Sequence, residues 1–223
     1  MEVLSALADA LKLDAAERRH LFILNDRPAP ETGPRGPERV EEPLLRMLTS
    51  LAGQPAYVLG RRWDILAWNR AAVALFGDYD ALKGDQRNIM HLVFVNEAHR
   101  RLLVDWETLA RSSLAMFRAD SAHYVGDPEF DRLIALLTRS SREFRQWWSK
   151  REVLPPLTGH KRIQHSTGGR MVFEYTSLAV ADHADMKLVV YTPLEEDQTV
   201  AKLKQLLDRK PIARTNSNRA HLA

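Results

Sequence analysis

Two arginines in this 223-residue chain directly follow a phenylalanine, in Phe117-Arg118 and Phe144-Arg145. A guanidinium beside an apolar ring suits a particular task. Its planar fork holds a carboxylate by paired, charge-assisted hydrogen bonds, and the ring offers an apolar wall for whatever carries that acid. Other large rings extend the wall. Trp68, Trp106, Phe117, Phe144, Trp147, Phe173 and Tyr175 all fall at or near inward positions of the elements read below. Ligand pockets are mostly apolar and aromatic, with a few polar groups fixing orientation. These seven rings, with Arg118 and Arg145, are the candidate ligand-binding residues. The plainer alternative is that each ring only fills the core and each arginine is a solvated surface group.

Catalytic chemistry finds less support. The chain has no cysteine, which removes disulfides, thiol nucleophiles and cysteine-ligated metal. None of G-x-S-x-G, H-E-x-x-H, G-x-x-x-x-G-K-[ST] or G-x-G-x-x-G occurs. His160 and His165 lie five apart in a strand-like run, so alternation sends them to opposite faces and they fail as a metal pair. Ser166-Thr167-Gly168-Gly169 joins two strand-like runs with no helix following, so it reads as a turn rather than a phosphate loop. An enzyme is not expected, and neither a metal nor a cofactor, beyond a bound apolar molecule.

The elements that must position these residues follow from periodicity. Residues 3–11 read as an amphipathic helix, and Asp14 with Glu17 opens a second through a capping-box pattern. A stretch with five prolines and two glycines, residues 25–43, reads as a linker. A short helix over 43–52 comes next. The period then changes to two. Strands are expected near 56–60 and 63–68, joined through Gly60-Arg61-Arg62, and Asn69 caps a helix running from Arg70 to Phe76 that Gly77 stops. Residues 97–119 read as the longest helix, Asp127-Pro128 opens another, and a third covers about 140–150. Three strands are expected over 160–166, 170–179 and 187–193, with turns at Thr167-Gly168-Gly169 and Ala181–Asp185, then a helix over 198–208. This order predicts an α+β fold, one five-stranded antiparallel sheet packed on helices, with helix 97–119 covering one face.

Charge excludes less than it suggests. The net charge is +3, yet six of the 32 basic residues and only one of the 29 acidic ones lie between Lys202 and Ala223. The basicity therefore belongs to a polar tail and the body is near neutral, unlike a folded nucleic-acid-binding domain with a basic face. No run of about 18 apolar residues occurs, so no membrane partner is expected. With no signal-peptide pattern, the expected location is cytoplasmic.

Residues 56–76, AYVLGRRWDILAWNRAAVALF, resemble the opening of a PAS-type sensor domain. A longer series is more specific. Arg87-Asn88-Ile89, Phe94, Asp105-Trp106-Glu107, Phe117-Arg118-Ala119, Asp127-Pro128, Ser141-Arg142-Glu143-Phe144-Arg145 with Trp148, Val153, His165 and Val189-Val190-Tyr191 follow in order. Together they closely resemble the ligand-binding domain of MmyB-like transcription regulators, over about 40–207. That resemblance implies a PAS-like fold, an apolar, fatty-acid-like ligand, a homodimer, and a preceding helix-turn-helix domain of the Cro-repressor type that contacts DNA in the full-length regulator. On this reading residues 1–25 are the last two helices of the DNA-binding domain, 26–42 the linker, 43–208 the ligand-binding domain and 209–223 a disordered basic tail. The recognition helix is not in the sequence, so this chain alone is expected to bind DNA weakly or not at all. A Ser166-Thr167-Gly168 turn stands where the family more often has proline and a Val-Gly turn.

Overall fold

Capping side chains start several of the helices. The computed structural model describes residues 2–14, 17, 21, 38–150 and 159–209, and it divides into two units, Met1–Glu38 and Arg39–Ala223. In the first unit, α1 spans Glu2–Ala10. The Asp14 N–H donates to Glu17 Oε2 at 2.9 Å, and the Glu17 N–H donates to Asp14 Oδ1 at 2.8 Å. That is the reciprocal capping box read from the sequence. Most of the second helix and of the linker, and the tail beyond residue 209, lie outside the described residues.

The second unit opens with α2 (Glu42–Ser50), followed by β1 (Ala56–Leu59), β2 (Ile65–Trp68) and α3 (Arg70–Phe76). Asn69 organises this start. Its Oδ1 accepts the N–H groups of Ala72 and Ala56 at 2.9 and 3.1 Å, capping α3 and holding β1. Its Nδ2 donates to the carbonyls of Leu51 and Gln54, both at 2.8 Å. Next come α4 (Ile89–Phe94), α5 (Glu97–Leu102), α6 (Trp106–Ser121), α7 (Pro128–Ser140) and α8 (Arg142–Ser149). Asn88, Asn96, Asp127 and Ser141 cap α4, α5, α7 and α8 through their side chains. The chain returns through β3 (His160–His165), β4 (Gly169–Val180) and β5 (His183–Pro193), and α9 (Thr199–Asp208) ends the described residues.

The five strands form one antiparallel sheet in the order β2-β1-β5-β4-β3. Alternation sorts its two faces. Tyr57 and Leu59 of β1, Ile163 of β3, Met171 and Phe173 of β4, and Val189 and Tyr191 of β5 join the buried faces of α3–α9 in the main core. Ala56, Val58, Ala67, Leu188 and Val190 form a second core on the other face, where Leu44, Leu45 and Leu48 of α2 pack. Buried Arg62 ties the β1–β2 turn to α7. It donates to Asp64, Asp85 and Glu129 at 2.9, 2.8 and 3.0 Å, the full pairing that a buried guanidinium needs.

Several details depart from the sequence reading, and α4 over Ile89–Phe94 is a helix that reading did not expect. The expected helix over 97–119 is broken at Leu103–Asp105 into α5 and α6. There Leu103 bridges to Ile163 of β3 and the Val104 N–H donates to the Arg162 carbonyl at 3.1 Å, so an inter-element hydrogen bond displaces helical ones. The strand expected from residue 63 starts at Ile65, because Trp63 turns with a φ of 67°. This conformation is costly for a bulky residue. It is held by an indole N–H bond to Asp120 at 2.7 Å and edge contact with Phe117 at 5.6 Å. Finally, β5 begins at His183 rather than 187, leaving Ala181-Asp182 as the turn, with a register shift at Ala179/Val180.

Candidate functional site

Three parts of the fold bring their ends together around a groove on the helix-covered side. α3 reaches it because Gly77, with a φ of 104°, accepts the left-handed turn that redirects the chain from Phe76 toward Tyr79. α4 and α5 supply a second wall, each started by an asparagine cap. The end of β3 supplies the third through Gln164 and His165. The groove holds about 620 Å³ and is lined mainly by Val73, Leu75, Phe76, Tyr79, Leu92 and Leu102, with His99 and Asn96 among its polar groups. Such a volume suits a small organic ligand, for which pockets of about 300–1,000 Å³ are usual.

The nine residues proposed from the sequence separate into two aromatic layers and two arginines, and none of them lines this groove. In the first layer Phe144 and Trp106 meet Phe94 at 5.2 and 6.4 Å, Trp147 meets Trp106 at 5.8 Å, and Phe117 stacks on Phe130 at 6.1 Å. Phe117 and Phe144 are wholly buried among such neighbours. In the second layer Trp68 packs edge-on against Tyr79 at 5.4 Å, while Phe173 and Tyr175 meet Tyr191 at 6.1 and 5.6 Å. Arg118 donates to the carbonyls of Trp147 and Trp148 at 2.9 and 3.0 Å, satisfying the end of α8. Arg145 is exposed on α8.

Behind the groove the second layer encloses a polar centre. The hydroxyls of Tyr57 and Tyr191 lie 3.3 Å apart, and Lys161 Nζ donates to Tyr191 at 3.3 Å. The same ammonium sits 3.6 Å from the centroid of the Tyr175 ring. Tyr79, which lines the groove, is buried and its hydroxyl has no hydrogen-bond partner among the described residues. Groove and centre share the Phe76–His99–Tyr79 layer, since Phe76 meets Tyr191 at 5.0 Å and His99 at 5.8 Å.

A family model described as the MmyB-like transcription regulator ligand binding domain matches residues 40–207. The chain belongs to this family. No curated protein matches it significantly. The matched span takes in α2, all five strands and nearly all of α9, so the groove and its polar centre both lie within the MmyB-like domain.

Burial sets the electrostatics of this regulator domain. The Lys161 ammonium is held down to about 7 by desolvation, and no ion-pair partner offsets that among the described residues. His99 is lowered to about 4, first by burial and then by the Lys161 charge. Tyr57, Tyr79 and Tyr191 are all pushed up, chiefly by burial, so they stay protonated and can donate hydrogen bonds. A cation flanked by neutral hydroxyls is suited to receive an anion. Lys161, Tyr57, Tyr79 and His99 were not singled out as site residues from the sequence. Strand alternation carried a usable signal for Lys161, which shares a face with the buried Ile163 two residues on.

Proposed function

We propose that this MmyB-like domain senses a fatty-acid-like molecule whose chain lies in the groove between α3, α4–α5 and β3. The carrying observation is that groove: an apolar-walled space of about 620 Å³ on the helix side of the sheet, in a regulator ligand-binding domain. Its walls belong to separate elements, so a ligand that prefers one packing of α3 and α5 against β3 shifts the population toward it. In the full-length regulator that shift is passed to a helix-turn-helix unit on DNA, and a few kcal/mol of differential affinity is enough to change occupancy. Trp68, Phe173 and Tyr175 back the groove through the tyrosine layer, and the rings of Trp106, Phe117, Phe144 and Trp147 hold α6 and α8 in place.

Native mass spectrometry of the purified chain tests for a copurifying lipid. A titration from octanoic to hexadecanoic acid then tests the groove. Each buried CH₂ contributes roughly 0.8 kcal/mol, so affinity is expected to rise about fourfold per carbon until the groove is full. Absence of binding, or affinity independent of chain length, overturns the reading.

A further inference from the structure

We propose that Lys161, with the hydroxyls of Tyr79 and Tyr191, is an acid-recognition centre that takes the carboxylate end of a single-chain acid lying in the groove. This deepens the ligand reading above and rests on it. The centre holds the half-buried Lys161 ammonium over the rings of Tyr175 and Tyr191, and no carboxylate answers it among the described residues. Even a half-buried ammonium is costly to hold without a counter-charge, and a bound anion removes that cost. Asp120, on the same side of the sheet, is already bonded to Lys187 and to the Trp63 indole. An ammonium has three donors, and one of Lys161's is directed at Tyr191. The Tyr79 hydroxyl is a second donor left unused among the described residues, and Tyr79 belongs to the groove wall. A carboxylate has two oxygens that accept several hydrogen bonds, which matches this donor set in both charge and count.

The test compares dodecanoic acid with dodecanol, which share a tail and differ at the head, on the full chain at pH 7. Wild type is expected to bind the acid about tenfold or more tightly than the alcohol, the size expected for hydrogen bonds to a charged group. Lys161→Met is expected to abolish that preference, chiefly by weakening the acid. Tyr79→Phe, which deletes one oxygen and little else, is expected to reduce the preference in part. Thermal melting of each variant confirms that it is folded. Equal binding of acid and alcohol by wild type, or an undiminished preference in Lys161→Met, overturns the acid centre and leaves the groove reading standing. Failure of wild type to bind either compound overturns the groove reading, and the acid centre with it.

Discussion

Lys161→Met should stabilise the ligand-free protein even though it removes the residue assigned to acid recognition. Lysine titrates near 10.5 in an unfolded chain, and burial in the fold lowers it to about 7. At about 1.36 kcal/mol per pKa unit, that displacement has a ceiling of about 5 kcal/mol. Lys161 is half-buried and only half protonated when folded at pH 7, so the expected gain for the methionine variant is about 2–4 kcal/mol. Methionine retains an unbranched apolar stem against Tyr175 and adds no strain. The sign with pH is fixed by linkage. Between pH 7 and about 9.5 the unfolded state binds more protons than the folded one, so wild-type stability rises with pH. Below pH 7 both states are protonated and the deficit of the wild type is constant and maximal. Near pH 10 the tyrosines ionise first in the unfolded state, because the fold pushes their values up, and this destabilises both proteins alike. Urea unfolding at pH 6, 7.5 and 9.5 measures the gap, which should be widest at pH 6 and narrow at 9.5. A methionine variant less stable than wild type at pH 7, or a gap that does not change with pH, refutes the reasoning.

Other outcomes follow from the same geometry. His99 is held near 4, so the unfolded state takes up a proton first as pH falls from about 6.5; stability should decline by up to about 3 kcal/mol by pH 4, and His99→Gln should flatten that decline in an acid-titrated melt. Asn69→Ala removes the cap of α3 and strands the carbonyls of Leu51 and Gln54, at an expected cost of about 2–4 kcal/mol in urea unfolding. Ala98→Trp fills the groove from an exposed helical position, and should weaken dodecanoic acid binding about tenfold or more with little change in Tm. Phe117→Ala, away from the groove, should cost about 3–5 kcal/mol of stability yet leave the affinity of the protein that remains folded unchanged.

Much of the fold was legible because its boundaries are written in local chemistry. Asn69 and Gly77 bound α3, Asp127-Pro128 starts α7, and the glycines after His165 turn β3 into β4, each at the expected place. Period-two runs identified all five strands. Two of the departures have a common cause. No glycine or proline marks the break between α5 and α6, and it exists because Val104 donates to Arg162, 58 positions later in the chain. Trp63 likewise turns out of its strand to reach Asp120 on α6. A hydrogen bond to a distant element leaves no periodic trace, so helical spacing ran on through residues 103–105 unopposed.

The site was less legible, for a reason that residue type cannot remove. Rings that line a cavity and rings that fill a core have the same composition and the same spacing. Phe117 and Phe144 satisfy the pattern as well as any residue in the chain, yet both are wholly buried, Phe117 against Trp63, Phe130 and Trp148 and Phe144 against Phe94 and Trp148. The arginine rule failed to discriminate in the same way, since a guanidinium that suits a carboxylate also suits the open carbonyls at the end of α8, where Arg118 is placed. What distinguishes Lys161 is a conflict between levels. Its strand position directs it inward with Ile163, and its charge opposes that direction. Agreement between pattern and residue type identifies the core, because that is what a core requires. A charge retained on the apolar face of a strand has no such explanation, and it therefore points more strongly to a site than another seven well-placed rings.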